Sequence, residues 1–363
     1  MNELKFPIFF LSIFMTMQAF SKQIKLSLDI QIKEPENIIF NRLIDIATDS
    51  KNNIYILDSK EKTVYLFNEE GIFLKKIGNP GQGPGELNEP RSIYIDSKDI
   101  VYIFDRRNSR VEIFDPEANY IKSIKSADFP SAGETQMIVD KSGELYISGY
   151  YRGMDTVLCK FSSTGELIKP FPLPVIEYKG VDFDDFQRTM ILLGLNGGSL
   201  CCDEEERIFF SYNWPYSIKI LTKEGKELSQ ISRENNLNWK PLIFNGKNGG
   251  YLFGESTRTY KIFFLNDKYL VNSIFNIDWE GNPKNKIPLP ITPDIFDKYI
   301  KLREKFAVLD LYTKRGEFAA SVKIDEKIYF LASDKKGRLL AVKKDEEDIP
   351  SIVRYKVDTI GNN

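Results

Sequence analysis

Histidine is absent from all 363 residues. With it go the Ser-His-Asp triad, the Cys-His pair and any zinc site built on imidazole. The usual proton carrier near neutral pH is missing too. Any catalysis by this chain therefore falls to carboxylates, Lys, Tyr or a hard metal ion held by oxygen ligands. Cysteine is scarce, limited to Cys159, Cys201 and Cys202. An odd number allows one disulfide at most, and neighbours on a strand point to opposite faces. Cys201 and Cys202 are thus expected as packed free thiols rather than a redox pair, which would want an exposed thiol of low pKa. No charge of one sign dominates, since 50 Lys and Arg meet 52 Asp and Glu for a net charge of −2. Nucleic-acid binding would want a basic domain, and none is present.

Long apolar runs are missing except at the start, MNELKFPIFFLSIFMTMQAFSKQ. Lys5 precedes an apolar run from Phe6 to Phe20, and Ala19 and Ser21 are small residues placed for a cut before Lys22. This is the layout of a secretory signal peptide. Pro7, the short run and the weak positive flank after it disfavour a membrane anchor. The expectation is a signal peptide over 1–21 and an exported protein, in the periplasm or at the cell surface, with no membrane span after cleavage. No cysteine follows the run, so a lipid-modified N-terminus is not supported.

What the chain does have is repetition. IDIATDSKNNIYILD (44–58), RSIYIDSKDIVYIFD (91–105), QMIVDKSGELYISG (136–149) and LCCDEEERIFFSY (200–212) are versions of one another. Their marker aspartates are Asp49, Asp96, Asp140 and Asp203, the first three 47 and 44 residues apart. Short strands repeating every 40–50 residues or so are the signature of a propeller blade. Val, Ile, Tyr and Phe alternate with polar residues, as sheet requires. The expected fold is all-β, a single six-bladed β-propeller over 22–363 with four-stranded antiparallel blades and short helical insertions in the connections. Blades are expected near 43–78, 91–125, 135–171, 199–232, 240–278 and 318–360. The ring must close, and either IKLSLDIQI (24–32) or SIVRYKV (351–357) can supply the last outer strand.

Strand alternation sorts the loops onto two faces. First-to-second and third-to-fourth turns, such as DSKNN, NEEG, SSTG and TKEG, are short, charged turns rich in Asp, Asn and Gly. The opposite face carries the second-to-third turns and the links between blades. It is more basic and aromatic, the residue types that binding surfaces favour. The candidate ligand-binding residues there are Arg91, Arg106, Arg107, Tyr150, Tyr151, Arg152, Trp214, Tyr216 and Arg258. Two long links, about 172–198 and 279–316, lie on the same side. Within the second, Thr292 and Pro293 suit a helix start, and Ile295, Tyr299, Leu302 and Phe306 recur at helical spacing.

GNPGQGPGELNEPRSIYID (78–96) and IVYIFDRRNSRVEIFD (100–115) resemble the NHL-type repeat, and the whole chain is similar to secreted six-bladed propellers of Bacteroidetes. The likeness is specific over about 40–150, weaker to 232 and faint beyond. The glycines of GQGPGEL lack the Lys-Ser/Thr ending of a phosphate cradle, so a blade-to-blade turn is expected. Some relatives implied by the resemblance are lyases with histidine-bound zinc, which this chain cannot reproduce. Others resemble lactonases with calcium in the central tunnel, which needs converging oxygen ligands. The innermost strands offer Asp45, Arg91, Ser92, Gln136 and Asn245, a single carboxylate. The reading is therefore an exported, non-catalytic binding or scaffold propeller for a glycan, a peptide or an envelope protein, with no nucleic acid and no required cofactor. The alternative is a calcium-dependent hydrolase or lyase with its site at the tunnel.

Overall fold

A computed structural model describes residues 23–175, 197–213, 216–232, 241–244, 251–254, 258–275, 307–324 and 326–361. Strands fill it, and no helix occurs among the described residues. The helix expected from Pro293 to Phe306 lies outside them, as do the signal-peptide segment, Asn245 and most of the 172–198 link. No helix among the described residues is long and apolar enough to cross a membrane.

Six four-stranded antiparallel sheets form the blades. The first is β2 (Leu43–Thr48), β3 (Ile54–Asp58), β4 (Thr63–Phe67) and β5 (Phe73–Ile77). The second is β6 (Pro90–Ile95), β7 (Val101–Asp105), β8 (Arg110–Phe114) and β9 (Tyr120–Lys125). The third is β10 (Met137–Val139), β11 (Leu145–Ser148), β12 (Leu158–Phe161) and β13 (Leu167–Pro170). The fourth is β14 (Gly198–Cys202), β15 (Ile208–Tyr212), β16 (Ser217–Leu221) and β17 (Glu227–Ser232). In each blade the middle strands are buried almost throughout, while the outermost strand is open to solvent. Lys75, Lys76, Lys122, Lys125 and Lys169 lie on those outer strands. Charge there discourages pairing of an open edge with another chain.

The second half departs from the expected boundaries. The segments expected to open the fifth blade pair only with each other, as β18 (Pro241–Phe244) and β19 (Tyr251–Gly254). The fifth blade is β20 (Arg258–Leu265), β21 (Tyr269–Phe275), β22 (Ala307–Thr313) and β23 (Phe318–Ile324). FAASVKI (318–324) is therefore its outermost strand, not the first strand of the sixth blade. The sixth blade holds β24 (Ile328–Ser333), β25 (Leu339–Lys344) and β26 (Pro350–Gly361), with β1 (Gln23–Ile32) outermost. Both segments proposed for closure are used. SIVRYKV is in the third strand and IKLSLDIQI in the fourth, paired from Gln23↔Gly361 to Ile32↔Ile352.

The core lies between blades. Six apolar clusters form, one at each junction, such as Tyr55, Leu57 and Val64 of the first blade against Ile93, Val101 and Ile103 of the second. At the closing junction, Ile46, Ile54 and Tyr65 meet Leu331, Leu340, Val342 and Ile352. Each buried Leu, Ile or Phe of this kind contributes about 1.5–3 kcal/mol, so the ring is held by contacts between repeats rather than by a single centre.

The marker aspartates build turns. Asp49 Oδ1 accepts the N–H groups of Lys51 and Asn53 at 2.9 and 2.8 Å. Asp140 does the same for Ser142 and Glu144 at 3.0 and 2.9 Å, and Asp203 for Glu205 and Arg207 at 3.1 and 2.9 Å. Asp334 repeats the pattern with Lys336 and Arg338 at 3.0 and 2.9 Å. This is the backbone-mimicking turn that Asp favours.

Candidate binding site at the tunnel mouth

The innermost strand of a blade has one edge free, and its unpaired N–H groups need partners. Side chains of the preceding blade supply them here. Asp45 accepts from Ile93 N–H at 3.1 Å, Ser92 Oγ from Met137 N–H at 3.2 Å, and Ser199 Oγ from Ile262 N–H at 3.0 Å. Asp45 is fully buried and also receives Ile46 N–H and the Ser92 hydroxyl. The charge that balances it comes from across the ring: Lys261 Nζ donates to Asp45 Oδ1 at 2.7 Å and also to Gln136 Oε1. Asp45 is thus a structural acceptor between blades, not a carboxylate waiting for a ligand.

Lys261 and Leu331 line two cavities, one towards each end of the tunnel. On the side of the blade-to-blade links, a cavity of about 380 Å³ is bounded by Arg42, Arg91, Lys261, Lys344, Tyr260, Tyr329 and, among the described residues, a single carboxylate, Glu134. Glu134 accepts from Asn213 Nδ2 at 3.0 Å. Tyr260 and Tyr329 come from the fifth and sixth blades and stand 5.3 Å apart between ring centres, tilted by 43°. Lys344 Nζ lies 5.8 Å from the Tyr329 ring centre. The opposite cavity, about 280 Å³, has a mixed polar and apolar lining that includes Cys201, Cys202, Asp267 and Asp334.

The cationic wall is set by a repeated device. Asp105, at the end of β7, is fully buried and accepts Asn88 N–H at 2.9 Å, Glu89 N–H at 2.7 Å and Asn108 Nδ2 at 2.7 Å. Asp58 does the same one blade earlier, for Asn41 and Arg42 N–H at 2.7 and 3.1 Å. The chain entering the tunnel is therefore fixed at Arg42 in the first blade and just before Arg91 in the second. Glu89 takes both Arg106, Nη2 to Oε1 at 2.6 Å, and Arg91. Burial works against ionising Glu89, but the hydrogen bonds from Arg106 and Arg91 outweigh it and hold its carboxyl below the usual range. Burial, and after it the Arg106 charge, pulls the Arg91 guanidinium below its ordinary value. Two guanidiniums share one carboxylate, so the wall keeps positive charge.

The expected site residues separate into groups. Arg91 lines the mouth, and Arg106 braces it through Glu89 and through Gly133 O at 2.7 Å. Arg107 and Arg152 are exposed on their turns, and Tyr150 is half-buried with its N–H on Ala132 O. Tyr151 and Tyr216 are corrections: both are buried, 3% and 8% exposed, and neither presents a ring to the loop face. Tyr151 stacks on Phe161 and donates to Ile147 O at 2.5 Å. Tyr216 donates to Asp310 Oδ2 at 2.9 Å and meets the Tyr312 hydroxyl at 2.5 Å. Both rings belong to the apolar cores between blades, Tyr151 between the second and third and Tyr216 between the fourth and fifth. Trp214 lies outside the described residues, as does the side chain of Arg258, whose backbone opens β20.

Arg42, Lys261, Tyr260, Tyr329 and Lys344 were not singled out from the sequence. A charged residue inside TYKIFFL was a usable signal for Lys261, because a lysine in the innermost, buried strand needs a partner. A fifth blade opening near 240 places that strand third rather than innermost. The glycine-rich run is a closed turn. Arg110 donates to Gln82, Gly83 and Glu86 carbonyls at 2.9, 2.7 and 2.7 Å, and Gly83 N–H is taken by Glu86 Oε2 at 2.7 Å. Gly85 has a φ of 75°, the left-handed region that suits glycine. All three cysteines are free thiols.

Comparison with known proteins agrees with this architecture. Residues 31–161 match the family DUF5128, described as a 6-bladed beta-propeller. No curated protein matches the chain. Among solved structures, a member of the DUF4221 family from Bacteroides vulgatus is 12% identical, covers 94% of this chain and all of its own (100%), and superposes with a TM-score of 0.63. A candidate exported protein of Bacteroides fragilis is 13% identical, with 93% of this chain and 96% of its own covered and a TM-score of 0.57. At such identities the likeness concerns the fold alone.

Proposed function

We propose that the chain is an exported binding propeller that takes an anionic ligand at the mouth of its central tunnel. One observation carries this reading: Arg42, Arg91, Lys261 and Lys344 surround a cavity of about 380 Å³ whose lining holds, among the described residues, one carboxylate, Glu134, while Asp45 and Glu89 pair Lys261 and Arg91 from behind it. Positive groups focused in a concave, low-dielectric cleft attract anions and raise their local concentration, and guanidinium forks suit carboxylate or phosphate geometry. The ligand is a glycan, a peptide or an envelope partner bearing such groups. Export is supported by the leader-like first residues and by the description of the Bacteroides fragilis neighbour. The NHL-type character of the repeats rests on the sequence at 78–115.

Calcium-dependent chemistry at the tunnel fits less well. Lys261 already sits where a cation would meet Asp45, and a divalent ion would have to displace an ammonium from its partner. Asp334, at the other end, holds the Arg338 Nε at 2.6 Å.

The test is a thermal-shift screen of the protein against anionic and neutral oligosaccharides, peptides and calcium. A ligand at 100 times its Kd raises stability by about 2.7 kcal/mol. The reading requires that an anionic compound shifts the melt and that Arg42→Ala with Arg91→Ala abolishes the shift. A shift by calcium alone, or one indifferent to both arginines, refutes it.

A further inference from the structure

We propose that the ligand at this mouth is an acidic sugar, its carboxylate on the arginine wall and its ring against the tyrosine wall. The inference rests on the reading above that the mouth is the binding site, and it names the ligand class.

The two walls of the cavity differ in chemistry. Arg42 and Arg91 come from the first two blades, Tyr260 and Tyr329 from the last two, and Lys261 and Gln136 lie between them. A ring with one carboxylate, one apolar face and several hydroxyls matches all three surfaces at once. The carboxylate pairs with guanidinium, the C–H face packs on the tyrosine rings, and a hydroxyl accepts from the Gln136 side-chain amide, whose oxygen Lys261 holds. A volume of about 380 Å³ lies at the lower end of small-molecule sites, roughly 300–1,000 Å³.

Two further facts point to a missing partner. Arg91 Nε and Thr135 Oγ1 are buried and make no hydrogen bond among the described residues, and both residues line this cavity. Buried polar atoms are paired in most native proteins, and exceptions call for an explanation. Lys261 uses two of its three donors within the described residues, on Asp45 and Gln136. A ligand oxygen at the mouth would take the third.

A peptide is the less suitable occupant. Extended peptides draw affinity from main-chain pairing with a free strand edge. Around this tunnel three of those edge donors are already taken: Ile93 N–H by Asp45, Met137 N–H by Ser92 and Ile262 N–H by Ser199. What the cavity offers is side-chain chemistry, which suits a compact ring.

The experiment is isothermal titration of the protein with digalacturonic acid, a glucuronic-acid disaccharide, their carboxyl-reduced counterparts and triglutamate. At least one uronate should bind, its reduced form at least ten-fold more weakly. Arg91→Gln should weaken the uronate at least ten-fold, and Tyr260→Ala should weaken both acid and reduced forms. If Arg91→Gln proves unfolded by circular dichroism, the exposed Arg42→Gln takes its place. Failure of both uronates to bind overturns the proposal, as does uronate binding that neither arginine nor Tyr260 affects. Triglutamate binding that depends on Arg91, with no uronate binding, overturns the sugar while leaving the anion-binding mouth intact. If no compound depends on either arginine, both readings fall.

Discussion

Lys261 reaches across the central tunnel to Asp45, Nζ to Oδ1 at 2.7 Å, and joins the fifth blade to the first. Asp45 is fully buried, and the Lys261 side chain is 11% exposed. Removing one partner of a buried pair leaves the other charge uncompensated, at a cost of about 3–5 kcal/mol. Lys261→Met should lose stability on that scale in urea denaturation. Adding Asp45→Asn should restore at least half of it, since the stranded charge is gone. Equal losses in the single and double variants would mean that the pair is not what Asp45 depends on.

Ring closure should be acid-sensitive. Asp29 on β1 pairs with Arg354 at 2.7 Å and Lys356 at 2.8 Å, and Glu69 pairs with Arg338 at 2.8 Å and Lys336 at 2.5 Å. Burial of Asp29 opposes ionisation, but the Lys356 and Arg354 bonds hold its carboxyl below the usual value. For Glu69 the Lys336 bond is the main cause of the same direction. A carboxyl lowered in the folded state binds its proton first in the unfolded chain. Its stabilisation is therefore present above roughly pH 4–4.5 and drains away as pH falls through the lowered folded value. Thermal melts from pH 5 to 2.5 should fall more steeply for the native chain than for Asp29→Asn. Parallel curves would remove Asp29 from the account.

Asp105 is the post on which the arginine wall hangs. Asp105→Ala leaves Asn88 and Glu89 N–H groups without their acceptor, and each unsatisfied buried donor costs about 1–3 kcal/mol. A loss of about 2–4 kcal/mol in chemical denaturation is expected. A loss under about 1 kcal/mol would show that water replaces the carboxylate freely.

Tyr216 separates packing from binding. Tyr216→Phe gives up its bonds to Asp310 and Tyr312, at a cost of about 1.5–3 kcal/mol, and should leave affinity for any mouth ligand unchanged. A clear loss of affinity at unchanged stability would return Tyr216 to the binding surface.

The thiols should be inert in the folded protein. Burial pushes Cys159 up to about 12, and Cys202 up to about 11 against a hydrogen bond from Tyr94. The reactive form is the thiolate, so alkylation at pH 8 should be slow until denaturant is added. Rapid labelling of the native protein would contradict this assignment.

The propeller was readable where repeats keep their turn chemistry. Asp49, Asp96, Asp140 and Asp203 announce four blades because each must bond the N–H groups two and four residues on. The fifth blade is silent to that test. Its first turn is the tight pair Asn266 and Asp267, with φ of 52° and 47°, and no marker aspartate is needed. A usable signal stands at Thr313–Gly316. TKRG repeats NEEG, SSTG and TKEG, the turns before an outermost strand, and Gly316 shares their positive φ. It identifies FAASVKI as the end of a blade rather than the beginning of one.

The site was half-legible. Arg91 and Arg106 stood out by type and by loop position. Tyr151 and Tyr216 looked the same from the sequence, because aromatic residues in turns serve cores and surfaces alike. The sequence by itself determined the fold class, the number of repeats in the first half and the absence of imidazole chemistry, since each depends on residue type and local spacing. Only the tertiary structure decided which strand closes the ring, which tyrosines face the tunnel and that Lys261 answers Asp45. Those are relationships between positions as far apart as Gln23 and Gly361, and closure of the ring, not any local pattern, brings them within a hydrogen bond of each other.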